Sequence, residues 1–174
     1  MFYKMIENKC TQWYESERCT VKNLIEYIEK TGQMRDAQIE AIKVYLFLKI
    51  ACECKPLTQL FRQGFFNSID LNEIELSKST REYLFQNPAA ATLFEYACLT
   101  NDKGEQVSEK LEKQIKKDPT GIDYNEFFRN AFYGVSYTDY LFSLPMGAGK
   151  TYLMAAFILS LIHISEPTRP RLIS

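Results

Sequence analysis

Histidine is almost missing from this chain: one residue in 174, His163. Long apolar runs are missing too. The longest, residues 152–164, has 13 residues, short of the roughly 20 that a membrane-spanning helix needs. Neither sign of charge is in excess, with 21 basic against 22 acidic residues and a net charge of −1. Nothing therefore indicates a nucleic-acid sponge or a polybasic membrane surface, and no membrane partner is expected. No internal repeat or low-complexity stretch is visible. The five cysteines have no regular spacing and no signal peptide ahead of them. Reduced thiols in a cytoplasmic protein are the simplest reading. What is present is apolar material: 46% hydrophobic residues, including 12 Phe and 11 Tyr. That is too much apolar area for a solvated coil, and the length suits one domain or a little more with a real core.

The end of the chain reads differently. Residues 159–174 resemble, codon for codon as far as Arg169, the translation of a transposase-type sequencing adapter. Pro170, Arg171 and Leu172 fit a variable index, and Ile173-Ser174 fits the constant sequence after it. The expectation is a non-native tail, to be left out of fold reasoning. Without it the charge becomes −2 and no histidine remains. Residues 1–158 then hold no Ser-His-Asp triad, Cys-His dyad or His-ligated metal. A natural part that stops at Ile158, inside an element, is expected to be a fragment of a longer protein.

Helical periodicity dominates, and the expected class is mainly α. Helices are predicted over 2–14, from an N-cap at Thr20 to Gly32, and over 36–54. In the last of these Ile42, Leu46 and Ile50 recur every four residues while Tyr45, Phe47 and Leu48 widen the stripe nearly all round. A helix apolar on most sides is a buried one, so 36–54 is expected to be the most buried. Pro56 stops it. Residues 57–62 form a short helix closed by Gly64, and 68–77 are irregular or a helical turn. Thr80 opens a helix that Pro88 splits from 89–99. Residues 101–104 turn, 105–117 form a narrow-stripe helix with Glu109–Lys113 and Glu112–Lys116 pairs, and 118–121 end it. Asp123 caps a helix that Gly134 closes. From there the character changes. Residues 137–144 (Tyr-Thr-Asp-Tyr-Leu-Phe-Ser-Leu) read as a strand, 145–149 as a Gly-rich turn and 151–158 as a helix. A lone strand has no sheet partners, so this end is expected to pack poorly on the helical body, with residues after Ser165 extended or disordered.

Strand, glycine turn and helix frame Pro145-Met146-Gly147-Ala148-Gly149-Lys150-Thr151. Glycines let successive N–H groups curl toward phosphate oxygens, and the following helix brings its positive end to the same place. Lys150 can reach β- and γ-phosphates, and the Thr151 hydroxyl can ligate Mg²⁺. The stretch resembles a phosphate-binding loop, or Walker A. Leu144 stands where the general pattern has its first glycine, which points away from kinases and G-proteins and toward motif I of superfamily 2 helicases and translocases. Far upstream, Arg35-Asp36-Ala37-Gln38-Ile39-Glu40-Ala41-Ile42 resembles the Arg-x-x-Gln-x-x-Ala segment of the type III restriction (Res) group. There a Gln amide reads adenine by donating and accepting at once, a role that falls on Gln38. About a hundred residues separate Gln38 from Gly147, where that group has a few tens. Either the intervening helices are an insertion or Gln38 is an ordinary solvent-facing glutamine.

The resemblance covers 35–42 and 144–158 only. It implies a helical region over 1–134, the first strand–loop–helix of a truncated RecA-like α/β domain over 135–158, and the tail over 159–174. The implied activity is ATP-driven movement on DNA, as in a restriction or defence protein with a methyltransferase or other subunits as partners. Implied cofactors are ATP and Mg²⁺, with Lys150 and Thr151 in the chemistry, Thr151 on the metal, and Gln38, Pro145, Met146, Gly147, Ala148 and Gly149 lining the nucleotide. The Walker B carboxylates, the arginine finger and the second RecA-like domain would follow Ile158, so this chain alone is not expected to turn over ATP. The alternative is a non-enzymatic helical interaction or nucleic-acid-docking module with an incidental or different-class loop.

Weaker constellations have blander readings. Cys52 and Cys54 on a helix would point about 200° apart and suit buried thiols better than metal. Lys110, Lys113, Lys116 and Lys117 interleave with Glu109 and Glu112, as on a solvated face. Trp13 and Tyr14 suit packing better than base stacking. Glu26 with Glu29, and Glu73 with Glu75, read as surface charge.

Overall fold

A computed structural model describes residues 2–101, 103–135, 141–143, 147 and 149–165. Those residues are mainly helical, as periodicity predicts. In chain order the helices are α1 (Phe2–Glu15), α2 (Lys22–Thr31), α3 (Asp36–Ile50), α4 (Leu57–Arg62), α5 (Lys78–Gln86), α6 (Pro88–Cys98), α7 (Glu109–Lys117), α8 (Tyr124–Ala131) and α9 (Lys150–Ser165). A single 3-10 turn, Pro119–Gly121, links α7 to α8. No strand occurs among the described residues; one antiparallel bridge joins Thr100 to Gln106. Of the strand predicted over 137–144, residues 141–143 are irregular and the rest lie outside the described residues. The chain forms two compact units: Met1–Lys9 with Cys54–Asp139, and Cys10–Glu53 with Tyr140–Ser174.

In the first unit the core is aromatic. Phe2 stacks on Tyr96 at 4.1 Å, and Phe61 lies 4.5 Å from Phe66 and 5.2 Å from Phe132. Pro88 occupies the first turn of α6, where its missing N–H costs nothing. Helix α6 is the denser of the two central helices, with seven of eleven residues buried against eight of fifteen in α3. The expectation that 36–54 would be the most buried helix thus holds by count and fails by fraction. Ala90, Ala91 and Ala97 of α6 let neighbours close in, which a rule built on large apolar residues overlooks. Buried Glu95 accepts from the Ser68 N–H (2.9 Å), the Ser68 hydroxyl (2.6 Å) and the Ile69 N–H (3.1 Å), and so pins the irregular segment beside it.

Helix ends differ from the sequence reading where a cap decides them. Ser77, not Thr80, caps α5, its hydroxyl accepting from the Thr80 N–H at 3.1 Å. Ser108 caps α7, accepting from the Leu111 N–H at 3.2 Å, so the helix starts four residues later than 105. Val21, with no side-chain cap, stands at the start of α2 where Thr20 was expected. Asp123 does cap α8. Past α8 the left-handed position is filled by Tyr133 (φ 56°), ahead of Gly134. The Gly134 N–H reaches the Arg129 carbonyl at 2.7 Å and the Tyr133 N–H the Asn130 carbonyl at 3.2 Å, a Schellman closure.

The second unit centres on α3. Ile42 and Leu46 are fully buried, as the all-round stripe requires. Trp13 of α1 lies 5.7 Å from Phe47 on one side. Tyr45 packs at 4.5 Å on Phe157 of α9, and Phe142 closes the cluster at 5.2 Å from Phe157. Helix α3 stops at Ile50, short of the predicted 54, because a right-handed helix cannot hold the left-handed residues that follow. Glu53 and Cys54 reverse the chain at φ 53° and 54° just ahead of Lys55-Pro56. Helix α9 continues unbroken across residue 159 to Ser165. Leu153, Ala156 and Ser160 are buried on one side of it, while Tyr152, Met154, Ile158, Leu159 and Ile162 remain exposed on the other; the expectation for the residues after Ser165 lies outside the described residues. No helix among the described residues is long and apolar enough to cross a membrane.

Candidate functional site

The two segments singled out by sequence, 111 residues apart, meet inside the second unit. Gly149 (φ 73°) is the last residue before α9, and Arg35 is the last before α3. Both carbonyls start their helices: the Gly149 carbonyl accepts from the Leu153 N–H at 3.2 Å, and the Arg35 carbonyl from the Ile39 N–H at 3.1 Å. Gln38, only 3% exposed, bridges them. Its Nε2 donates to the Gly149 carbonyl at 2.8 Å, and its Oε1 accepts the Arg35 N–H at 2.8 Å. One side-chain amide therefore ties together the N-terminal ends of two helices. The contact is tight: a Cβ added to Gly149 would lie 2.6 Å from the Gln38 Nε2.

Local sequence explains each partner. Glycine is the residue that takes the left-handed conformation without a Cβ penalty, and Gly147 (φ 77°) and Gly149 both use it. Nothing would stand within 4 Å of a Cβ at Gly147, so there the requirement is conformational alone. Lys150 and Thr151 open α9 and are exposed, with the positive end of the helix beside them. Pro145, Met146 and Ala148 lie outside the described residues. The solvent-facing reading of Gln38 is excluded by its burial. What sequence reasoning missed is the device that brings α9 to α3, the Tyr45–Phe142–Phe157 cluster. Its only sequence signal is a scatter of aromatics over distant positions.

The remaining candidates take their blander readings. Lys113 pairs with Glu109 at 2.8 Å and Lys116 with Glu112 at 2.7 Å along α7. Hydrogen bonds from the Gln106 amide and then Lys116 hold the Glu112 carboxyl below the usual range. Trp13 is core, and Tyr14 sits under the ammonium groups of Lys43 (4.3 Å) and Lys22 (5.3 Å). Burial, then the charges of Glu26 and Glu29, push its phenol up. Glu26 pairs with Lys30, and Glu73 and Glu75 are exposed. Cys52 is buried and Cys54 half-buried, both past the end of α3. Among the described residues no cluster of His, Cys, Asp or Glu could hold a metal. In the first unit a groove of about 460 Å³ opens between Gln63, Ser68, Asp70, Phe85 and Ala91, with no charged pair or nucleophile converging on it.

No family model, curated protein or solved structure matches this chain.

Proposed function

We propose that the second unit carries the start of a nucleotide-binding site, belonging to the N-terminal part of an ATP-dependent DNA helicase or translocase of superfamily 2. The observation that carries this reading is the contact of Gln38 with Gly149. Two motif-like segments far apart in sequence share one hydrogen-bonded junction at a helix N-terminus. A chance Gly-Lys-Thr turn has no reason to fall there.

The residues suit a triphosphate with Mg²⁺. Gly147 leaves the backbone uncovered, and Lys150 and Thr151 are exposed beside the positive end of α9. Lys150 neutralises phosphate oxygens as a point charge. The Thr151 hydroxyl offers an oxygen ligand to the metal, which in turn neutralises phosphate charge. In the parent, DNA, a strand over 137–144 and further motor domains complete the machine. A helical docking module with an incidental loop is the second reading, favoured by the lack of strands among the described residues.

The test is calorimetric titration of the chain with ATP and Mg²⁺. Weak but measurable binding is expected. Lys150→Ala should reduce it 10- to 100-fold, since hydrogen bonds to a charged group contribute roughly 1.5–3 kcal/mol. Binding that survives Lys150→Ala undiminished would refute the phosphate-loop assignment.

A further inference from the structure

Gln38 has two groups with which to read a nucleobase, a donor and an acceptor, and both already have protein partners. Nε2 is on the Gly149 carbonyl and Oε1 on the Arg35 N–H, each at 2.8 Å. Each group keeps one further hydrogen-bonding position, the second N–H and the second lone pair, but a bidentate contact to a purine edge also needs the N–H and the oxygen exposed together and coplanar with the base. Here the residue is 3% exposed and packed against Gly149. For a base to be read, the packing that covers the amide would have to open.

The geometry points to Gln38 as a positioning residue for the phosphate loop rather than a base reader. From this it follows that Gln38 gives the site no preference for one base over another. The inference rests on the nucleotide-binding reading given above and changes what that site recognises. Physically, Gln38 fixes the carbonyl of Gly149 toward α3. A peptide plane with its carbonyl held on one side must direct the N–H of the next residue, Lys150, to the opposite side. That N–H is among those a helix start offers to an anion. The buried amide thus sets the Gly149–Lys150 peptide before any ligand arrives, and the gain applies equally to every ligand with the same phosphates.

The experiment titrates the 174-residue chain, in Mg²⁺, with ATP, GTP, CTP and inorganic tripolyphosphate. Three proteins are compared: the unaltered chain, Gln38→Ala, and Gln38→Met, which keeps the volume and deletes both hydrogen bonds. Emission of Trp13 checks that each variant is folded. The expected result is dissociation constants for the three nucleotides within about threefold of one another in the unaltered chain. Both variants should weaken all four ligands by a common factor of about ten, the effect of losing one well-placed hydrogen bond's worth of order. A preference for ATP above tenfold that disappears in Gln38→Met would overturn the inference and leave the nucleotide site standing. Failure of the unaltered chain to bind any of the four ligands would overturn both.

Discussion

Replacing Gly149 by alanine should destabilise the second unit far more than the same change at Gly147. Both glycines are left-handed, at φ 73° and 77°, so both variants share a conformational cost of roughly 1 kcal/mol. Only at Gly149 does the new Cβ meet a neighbour, 2.6 Å from the Gln38 Nε2. The amide must withdraw, losing its bond to the Gly149 carbonyl and straining the one from the Arg35 N–H. A buried donor left without its acceptor adds about 1–3 kcal/mol. The difference between the two variants should therefore be about 2 kcal/mol.

Trp13 makes the measurement direct. It is the only tryptophan, and it belongs to the same unit and packs on Phe47 of α3. With a urea slope of about 2 kcal/mol per molar, Gly149→Ala should bring the fluorescence midpoint roughly 1 M below that of Gly147→Ala. A double-mutant cycle then isolates the cause. In a Gln38→Ala background there is no amide to displace, so Gly149→Ala should cost no more than its conformational share. Equal midpoints for the two glycine variants, or an undiminished effect of Gly149→Ala once Gln38 is gone, would refute the bridge between α3 and α9.

Two further outcomes concern the first unit. Glu95→Ala removes the acceptor for three donors on Ser68 and Ile69 and should cost about 3 kcal/mol; amide hydrogen exchange at Ser68 and Ile69 should accelerate before exchange elsewhere in the unit does. Tyr133→Gly relieves a left-handed side chain that is 92% exposed; the midpoint of thermal unfolding should rise, by an amount corresponding to about 1 kcal/mol, and a fall would show that the Tyr133 ring makes contacts that matter.

Local signals carried the helical class and most of the punctuation. Pro56, Pro88, Asp123 and Gly64 act within a few residues of themselves, and each does in the structure what its chemistry predicts. Errors came where two neighbours could do the same job. Ser77 and Thr80 are both competent caps, and the outcome turns on which backbone N–H the hydroxyl can reach. The boundary at 50 rather than 54 has a similar origin. Pro56 forbids a helix just before it but does not say how many residues the chain needs in order to turn away. The packing of α9 on α3 had no local signal at all, because Tyr45, Phe142 and Phe157 come from three separate stretches and make sense only once they touch.

Gln38 shows how a site can be half legible. Helix α3 is apolar on nearly every side, and Gln38 is the one polar residue among its buried positions. A buried amide must be satisfied, and a helix whose first turn breaks the pattern of the rest marks a place where something other than core packing decides the residue. The stripe alone does not say that position 38 is buried, because Asp36, Ala37 and Glu40 of the same first turn are exposed. Nor does it give the partner. An amide donates and accepts with equal ease, so a base edge, a backbone carbonyl and a water satisfy it alike in one dimension. The choice is made by the aromatic cluster. Once Tyr45 and Phe157 set α9 against α3, Gly149 falls within reach of Nε2, and only a residue without a Cβ can come that close. The glycine that reads as a phosphate-loop feature in the sequence is thus also required by the glutamine, and the two requirements separate in experiment because only one of them depends on a ligand.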